Sequence, residues 1–312
     1  MFRYWKLVLV AGVAALAIGF GGPAQALTLC DNVGDICVIT EGNSTVEIDP
    51  DAGVGQLYTF TFEVDGVDHL FDQSFWFRLD GDSEESQVSS LNLVFAETQG
   101  AGSNKCGGVG SADCIFTAEY SGDSDGDGID DFTIEISYSL EGGAAGSGTA
   151  DLSEQITISY TGTGTLDIDF FEYNDFDLDG TANDLSVLIT GAGEGNTAIQ
   201  IGQTSVLGEV IVGNTPGITG SEVAVFPTLR NQLLDAFVDD LDASGAPKSL
   251  AGLNDYEFAF QWTFSIVTGG TEAISKNKLI QLPEPGTLAL FGFGLIALAF
   301  LGRRNRYRAK LV

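Results

Sequence analysis

The sequence has few basic residues, a single histidine and a single methionine. Its 312 residues include 13 lysines and arginines against 44 aspartates and glutamates, and the formal net charge is −31. Because Lys and Arg make the contacts to phosphate groups, this balance excludes a nucleic-acid-binding protein. A disordered acidic tail is also excluded, since 44% of the residues are hydrophobic and 10% aromatic. At least one folded domain is therefore expected.

The single histidine limits the catalytic chemistry. A Ser-His-Asp arrangement would have to use His69, which stands in a polar run where we expect a loop or surface position, and neither a GxSxG nor an HExxH motif occurs. A glycosidase needs only two carboxylates, and with 44 acidic residues the sequence cannot single out a pair. We therefore predict that the chain is not an enzyme.

The basic residues are concentrated at the two ends of the chain. Arg3 and Lys6 precede the apolar run 7–20, and the sequence Ala-Gln-Ala follows at 24–26. A positive segment, an apolar segment and a small-x-small cleavage site form the pattern of a secretory signal peptide. Residues 1–26 are predicted to be a signal helix that directs export and is removed after Ala26.

The C-terminal end has an apolar segment of its own. Residues 286–302 carry no charge, and five basic residues follow within 303–310. A membrane-spanning helix needs about 20 apolar residues. The 17 residues of this segment are at the short limit of that length, and a transmembrane helix is predicted here. The positive-inside rule places its basic tail on the cytoplasmic side, and the acidic body, residues 27–282, then lies outside the membrane.

Pro283, Glu284 and Pro285 stand directly before this helix. The Pro-Glu-Pro sequence, the apolar helix and the basic tail resemble the PEP-CTERM sorting signal of Gram-negative bacteria, over residues 283–312. The resemblance implies that an exosortase, a membrane cysteine transpeptidase, recognises the motif and removes the helix and tail. The protein would pass through an inner-membrane intermediate, with membrane contact only through the C-terminal helix, and reach the cell surface or the extracellular space.

The acidic body, residues 27–282, has the pattern of an all-β domain. Apolar residues alternate with polar ones in short runs bounded by Gly, Asp, Asn and Ser, which is typical of strands. Such runs occupy residues 57–64, 74–79, 91–95, 132–138, 156–160, 166–173, 185–190, 198–206 and 258–267. Their number and spacing predict an antiparallel β-sandwich or jelly-roll-like ectodomain.

One segment departs from the strand pattern. Leu229, Leu233, Phe237, Val238 and Leu241 recur at helical spacing after a proline at 227, and a Ser-Gly-Ala-Pro sequence follows at 244–247. This spacing predicts one amphipathic helix that packs its apolar face on the sandwich. A helix that binds a partner is the alternative.

Three further runs, at 225–233, 258–264 and 274–278, resemble the ectodomain of one group of PEP-CTERM exported proteins, a likeness that covers about residues 150–282. It implies location and fold and carries no enzymatic activity. PEP-CTERM proteins are associated with bacteria that produce exopolysaccharide, so the resemblance implies exopolysaccharide or matrix as a partner.

The four cysteines form two close pairs. Cys30 and Cys37 enclose one Gly- and Asp-containing segment, and Cys106 and Cys114 enclose another. In an exported chain this arrangement predicts two local disulfides, Cys30–Cys37 and Cys106–Cys114. Zinc is a weaker alternative because neither pair has CxxC spacing, and other disulfide pairings stay open.

A first acidic loop, residues 123–131, has the spacing of a calcium loop. Carboxylates at positions 1, 3, 5 and 9 surround a glycine at position 6, and the position-7 carbonyl is expected to point inward. The predicted ligands are Asp123, Asp125, Asp127, the Ile129 carbonyl and Asp131. The loop resembles thrombospondin type 3 calcium repeats and the first part of an EF-hand, but position 12 is isoleucine instead of the bidentate glutamate, so weak Ca²⁺ binding is expected.

A second acidic loop, residues 175–184, repeats this spacing. Its predicted ligands are Asp175, Asp177, Asp179, Thr181 and Asn183. The residues between the aspartates are apolar, so a strand that enters an Asp-Gly turn explains much of the pattern. For both loops the alternative to a Ca²⁺ site is a solvated acidic turn.

Together these features predict an exported, exosortase-processed protein of the cell surface or extracellular matrix, with a structural or binding role and stabilisation by calcium. The alternative is a carbohydrate-binding or adhesive module. Exposed aromatic side chains on one sheet face would favour that alternative, and Trp76, Trp262 and Tyr160 are the residues in question, although core packing is the expected role of each.

Overall fold

The computed structural model describes residues 28–29, 36–99, 115–212 and 217–281. The predicted signal helix, the Pro-Glu-Pro motif, the C-terminal helix and three of the four cysteines lie outside these residues. Cys37 is described: it is buried and forms a disulfide. Which cysteine it pairs with stays a prediction. Over the described residues, no helix has both the length and the apolar character needed to cross a membrane.

Within the described ranges the chain forms nineteen strands and one short α-helix, α1 (Thr228–Leu233). Two single turns of 3₁₀-helix occur at Val88–Ser90 and Leu178–Gly180. The strands are, in chain order, β1 Thr28–Leu29, β2 Cys37–Glu41, β3 Ser44–Ile48, β4 Thr59–Val64, β5 Val67–Asp68, β6 Asp72–Leu79, β7 Ser86–Gln87, β8 Asn92–Gln99, β9 Ile115–Gly122, β10 Phe132–Gly142, β11 Thr149–Tyr160, β12 Thr165–Asp175, β13 Asp184–Thr190, β14 Thr197–Ile201, β15 Val206–Ile211, β16 Gly220–Val225, β17 Lys248–Asn254, β18 Tyr256–Val267 and β19 Thr271–Gln281.

The strands form two antiparallel sheets, as the alternating sequence pattern predicts. A ten-stranded sheet has the order β1-β8-β9-β10-β11-β19-β15-β14-β13-β17. A nine-stranded sheet has the order β16-β18-β12-β6-β4-β3-β2, with β5 beside β4 and β7 beside β6. The chain moves between the sheets several times, and two of these crossovers, β12 to β13 and β17 to β18, are important for the candidate site.

The main core lies between the two sheets and is built by the period-two alternation. In β10, Phe132, Ile134, Ile136, Tyr138 and Leu140 are buried, whereas the residues between them are at least partly exposed. The same alternation operates in β9 and β11 on either side. Each fully buried side chain of this size stabilises the fold by about 1.5–3 kcal/mol relative to an exposed one.

A second, smaller core covers the outer face of the nine-stranded sheet. Trp76, Phe171 and Tyr173 on this face pack against Leu229 and Leu233 of α1. The Trp76 and Tyr173 rings meet edge to face, with their centroids 5.9 Å apart. This cover explains why β12 is buried on both faces towards its C-terminal end.

Eight of the nine predicted runs each overlap one strand, and the described residues contain further strands, such as β2, β3, β9 and β19, that no run predicts. One prediction needs correction, because residues 198–206 are not a single strand: β14 ends at Ile201, and β15 begins at Val206 after a tight turn. The Gly202 N–H donates to the Ser205 carbonyl across this turn, at 2.9 Å. An apolar run with small and polar residues at its centre therefore encodes a hairpin here.

The predicted amphipathic helix is much shorter than expected. It ends at Leu233, and the residues up to 247 are irregular or form isolated turns, with Phe237 70% exposed. Contacts to the nine-stranded sheet replace the missing helical turns: the Leu241 N–H donates to Gln261 Oε1 at 2.8 Å, and Arg78 Nη2 donates to Asp240 Oδ1 at 2.6 Å. These tertiary contacts outweigh the local helical preference of the sequence.

Candidate functional site

The first acidic loop connects β9 to β10 and brings three of its predicted ligands together. Oxygen atoms of Asp123, Asp125 and Asp127 lie within 4.8 Å of one another. Asp131 is not part of this group, because its carboxylate accepts hydrogen bonds from the Ser124 N–H at 2.9 Å and the Ser124 hydroxyl at 2.7 Å.

Backbone N–H groups of the first acidic loop donate hydrogen bonds to these carboxylates. Asp123 Oδ1 accepts from the Gly126 N–H at 2.8 Å, and Asp123 Oδ2 accepts from the Gly128 N–H at 2.6 Å. The backbone hydrogen bond from Gly128 is the main reason why the pKa of Asp123 is lowered. The Ile129 N–H donates to Asp127 Oδ1 at 2.8 Å, and the Ile129 side chain is exposed. The loop is thus a series of Asx turns as well as a candidate ligand set.

The second acidic cluster contains a residue that the sequence pattern did not indicate. Asp175 ends β12, Asp177 follows it, and Asp255 lies between β17 and β18; oxygen atoms of all three lie within 4.8 Å of one another. Asp175 is buried, whereas Asp177 and Asp255 are half-buried. Asp255 is far away in sequence, so no local spacing rule could have found it.

Asp179, the third predicted ligand of this loop, is not part of the cluster. Its carboxylate accepts hydrogen bonds from the Thr204 N–H and the Thr204 hydroxyl, both at 2.7 Å. Thr181 and Asn183 are exposed further along the turn, and the Thr181 hydroxyl donates to the Leu178 carbonyl at 3.4 Å.

His69 lies in the connection between β5 and β6, which confirms the expected loop position, but it is fully buried, so a surface position is wrong. Its Nδ1 accepts a hydrogen bond from the Asp179 N–H at 3.1 Å, so the imidazole supports the turn after β12. Burial lowers the pKa of this ring. The histidine therefore has a structural contact that the polar surrounding sequence did not suggest.

Three acidic side chains form a row across the outer face of the nine-stranded sheet. Asp175 on β12 is directly opposite Glu257 on β18 and directly opposite Asp72 on β6. Side chains directly opposite each other on antiparallel strands share a face, and like charges in such pairs are destabilising. The outer two members have donors: Glu257 accepts from the Tyr173 hydroxyl at 2.7 Å, and Asp72 accepts from the Ser74 hydroxyl at 2.6 Å.

The central member of the row is poorly compensated. Asp175 Oδ2 accepts one long hydrogen bond, 3.3 Å from the Tyr173 hydroxyl, and Asp175 Oδ1 has no hydrogen-bond partner. Burial, followed by repulsion from Asp255 and Asp177, raises the pKa of Asp175 to about 9. Burial also raises the pKa of the neighbouring Asp184 to about 8.

A separate ionic cluster lies inside the sandwich, between the sheets. It consists of Glu154, Glu172, Glu209, Lys276 and Lys278, all of them buried. Lys276 Nζ is 2.8 Å from Glu154 Oε1, and Lys278 Nζ is 2.9 Å from Glu172 Oε1. Glu209 is farther from both amines, 3.8 Å from Lys276 and 3.5 Å from Lys278.

The three glutamates of the interior ionic cluster are not equivalent. Burial opposes the ionisation of Glu172, but the charges of Lys276 and Lys278 outweigh it and lower its pKa to about 2. Burial, reinforced by the charge of Glu172, raises the pKa of Glu209 to about 8. Burial thus favours the protonated form of Glu209, whereas the two lysines favour the ionised form of Glu172.

The outer side of the ten-stranded sheet has a narrow polar face whose own side chains carry no charge but which acidic residues border. Its residues occupy two neighbouring cross-strand rows on β9, β10, β11 and β19: Thr117, Ser137, Gln155 and Ser275 in one row, and Ser139, Ser153 and Asn277 in the other. Glu97 is directly opposite Thr117, Glu119 and Glu135 form the next row on one side, and Glu141 and Asp151 form a pair on the other. A depression of about 380 Å³ opens here. The polar face is notable in a chain with 44 acidic residues, because its side chains offer only hydroxyl and amide groups.

The three aromatic residues considered for carbohydrate binding are all in the core. Trp76 and Trp262 are buried, and Tyr160 is 4% exposed. The expectation of core packing is confirmed for each, and none of them can serve as an exposed stacking platform.

Comparison with known proteins identifies the sorting signal. Residues 281–305 match the PEP-CTERM protein-sorting motif. The chain therefore carries the signal of an exported protein that an exosortase sorts to the cell surface, as the Pro-Glu-Pro sequence predicts. No curated protein sequence matches the chain.

Several solved structures have similar arrangements of strands. A galactose mutarotase-like protein from Clostridium acetobutylicum has a TM-score of 0.45 at 7% identity, over 83% of this chain and 99% of that one. A galactose mutarotase-like protein from Lactobacillus casei has a TM-score of 0.41 at 8% identity, over 79% and 100%. A bacterial glucoamylase complexed with acarbose has a TM-score of 0.45 at 8% identity, over 89% and 36%. Likenesses this distant carry no argument about function.

Proposed function

We propose that the protein is an exosortase-processed component of the cell surface or extracellular matrix, with a structural or binding role and no catalytic activity. The match of residues 281–305 to the sorting motif carries this proposal. A large antiparallel sandwich between a signal peptide and a removable anchor is consistent with such a role. Exosortase is the processing partner, and exopolysaccharide is the proposed matrix partner.

Mass spectrometry of the protein produced in an exosortase-containing host tests the processing. The mature form should lack residues 1–26 and the segment that follows Pro285. A Glu284→Ala variant should keep its C-terminal helix and remain in the membrane fraction, while an Asp80→Asn variant, altered at an exposed residue of the body, should be processed normally. A mature wild-type protein with an intact C-terminus would contradict the proposal.

Calcium stabilisation by the first acidic loop is part of the same proposal. Three clustered carboxylates support it, and backbone amides already neutralise part of their charge. Affinity in the range of extracellular modules, a Kd of about 10⁻⁴–10⁻³ M, is expected. An Asp125→Asn variant should bind Ca²⁺ more weakly at this loop.

Carbohydrate binding is the second candidate function, and the polar face is the observation that favours it. Hydroxyl and amide side chains can donate to and accept from sugar hydroxyls. Because Glu119, Glu135 and Asp151 border the polar face, a neutral glycan suits it better than an acidic one. Gln155 and Asn277 are its most exposed members. Both side chains lie at the depression.

Binding of the full-length chain to an array of bacterial exopolysaccharide fragments tests this candidate. Retention of a defined glycan should be lost in a Gln155→Ala, Asn277→Ala double variant. It should persist in Gln203→Ala, which removes an exposed glutamine from the turn between β14 and β15. Equal glycan retention by the double variant would show that the polar face is not the site.

A further inference from the structure

The second acidic cluster lies where the chain passes twice between the sheets. Asp175 is the last residue of β12 in the nine-stranded sheet, and the chain then crosses to β13 in the ten-stranded sheet. Asp255 is the single residue between β17 of the ten-stranded sheet and β18 of the nine-stranded sheet. The two crossovers therefore run side by side, and each contributes carboxylate oxygens to one place.

The carboxylates of this cluster lack compensating partners. Among the described residues, none of Asp175, Asp177 and Asp255 forms an ion pair within 4.0 Å. Arg230 on α1 pairs instead with Asp72, the neighbour of Asp175 in the acidic row, with Nε 3.6 Å from Asp72 Oδ2. Asp175 is 1% exposed and its Oδ1 has no partner, and Asp255 Oδ1 is likewise buried without one. A buried carboxylate oxygen without a donor is costly.

We propose that Asp175, Asp177 and Asp255 bind a divalent cation, Ca²⁺, which joins the β12–β13 and β17–β18 crossovers. Three carboxylates with oxygens within 4.8 Å of one another can surround one ion. Ca²⁺ takes six to eight oxygen ligands in a flexible geometry, so waters can complete the shell on the half-buried side formed by Asp177 and Asp255. Mg²⁺ fits less well because it requires near-ideal octahedral geometry and dehydrates reluctantly.

This site differs from the one that the sequence spacing predicts. Asp255 takes the place that the spacing assigns to Asp179, whose carboxylate is bound to Thr204. The ion would also neutralise the central position of the acidic row on β6, β12 and β18. Glu257 and Asp72 accept short hydrogen bonds. Asp175 accepts only one of 3.3 Å, from the hydroxyl that also donates to Glu257, so it is the member of the row that most needs a cation.

Terbium luminescence and calcium-dependent melting of the full-length chain, purified in detergent and freed of metal by a chelator, test the proposal. Tb³⁺ bound beside Tyr173, whose hydroxyl is 3.3 Å from Asp175 Oδ2, should be sensitised by that ring, and Ca²⁺ should displace it. Ca²⁺ should raise the melting temperature of the wild type. An Asp255→Asn variant, similar in shape, should weaken Ca²⁺ binding at least tenfold and lose most of the melting shift.

Three further variants distinguish this site from the first acidic loop and from a general effect of lost surface charge. Asp177→Asn should reproduce the effect of Asp255→Asn without altering the buried member of the cluster. Asp125→Asn in the first acidic loop and Asp80→Asn at an exposed position should keep the Tyr-sensitised signal and its displacement by Ca²⁺.

The proposal is overturned if Asp255→Asn and Asp177→Asn bind Ca²⁺ as the wild type does. It is also overturned if Asp125→Asn alone removes the response, since the first acidic loop would then be the only site. A wild type without any response at about 10 mM Ca²⁺ would also refute it. None of these results bears on exosortase processing. Unchanged Ca²⁺ binding by Asp255→Asn and Asp177→Asn would leave the proposal for the first acidic loop standing, whereas a wild type without any response would contradict both calcium proposals.

Discussion

Glu209 is a buried carboxyl group whose protonation should be visible in the pH dependence of stability. It faces Glu154 on β11, Glu172 on β12, and Lys276 and Lys278 on β19. Neither of its oxygens has a hydrogen-bond partner. Its pKa rises from an ordinary value of 4.5 to about 8 in the folded protein, chiefly because of burial.

The sign of the effect follows from proton linkage. Between about pH 5 and pH 8, Glu209 is ionised in the unfolded chain but still protonated in the folded protein. Unfolding then releases a proton, so raising the pH favours the unfolded state. One proton corresponds to about 1.4 kcal/mol per pH unit. From about pH 5.5 to about pH 7.5, Glu209 should therefore reduce the free energy of unfolding by roughly 3 kcal/mol, or about 5–10 °C in melting temperature for a domain of this size.

A Glu209→Gln variant removes the titrating proton while preserving the shape of the side chain. We expect the difference in unfolding free energy between the wild type and this variant to change by roughly 3 kcal/mol over the same two pH units, in the direction that favours the variant at high pH. Urea denaturation followed by tryptophan fluorescence is a suitable assay, since Trp76 and Trp262 are buried and become exposed on unfolding.

A matched control is Glu84→Gln, the same chemical change at an exposed residue, which should leave the pH profile parallel to that of the wild type. Contributions from other carboxyl groups are common to both proteins and cancel in the difference. Unrelated surface changes alter stability by up to about 0.5 kcal/mol. If the difference between the wild type and Glu209→Gln stays constant within that amount, Glu209 does not hold a proton in the folded state.

Two other substitutions test the packing. Arg78→Met removes the ion-pair partner of Glu85 and Asp240. It should lower the free energy of unfolding by about 3–5 kcal/mol, because Glu85 is left buried without its 2.7 Å ion pair. Limited proteolysis of this variant should cut first within 234–247, and unchanged cleavage there would contradict the anchoring role of Arg78. Gly142→Ala would place a Cβ against the Glu41 carbonyl oxygen, far inside van der Waals contact, whereas the Cβ of Gly208→Ala meets nothing within 4 Å. The melting temperature should fall strongly for Gly142→Ala and change little for Gly208→Ala. Equal melting temperatures would show that the backbones at Gly142 and Glu41 do not approach closely.

The sequence alone determined the two-layer β architecture, the positions of eight strands and the sorting signal. Period-two alternation is a local pattern, so runs such as 132–138 and 258–267 could be predicted from neighbours along the chain. The Pro-Glu-Pro sequence, the apolar helix and the basic tail are likewise contiguous, and the motif match at 281–305 confirms their prediction.

Tertiary structure decided what depends on residues that are distant in sequence. The apolar spacing after Pro227 predicts a long helix, but Arg78 and Gln261 hold residues 239–241 against the nine-stranded sheet, and the helix ends after Leu233. The second acidic cluster gained Asp255 because two crossovers meet, while Asp179 turned to Thr204. Local sequence sets the preference of each segment, whereas burial and long-range hydrogen bonds select which carboxylates finally share one site.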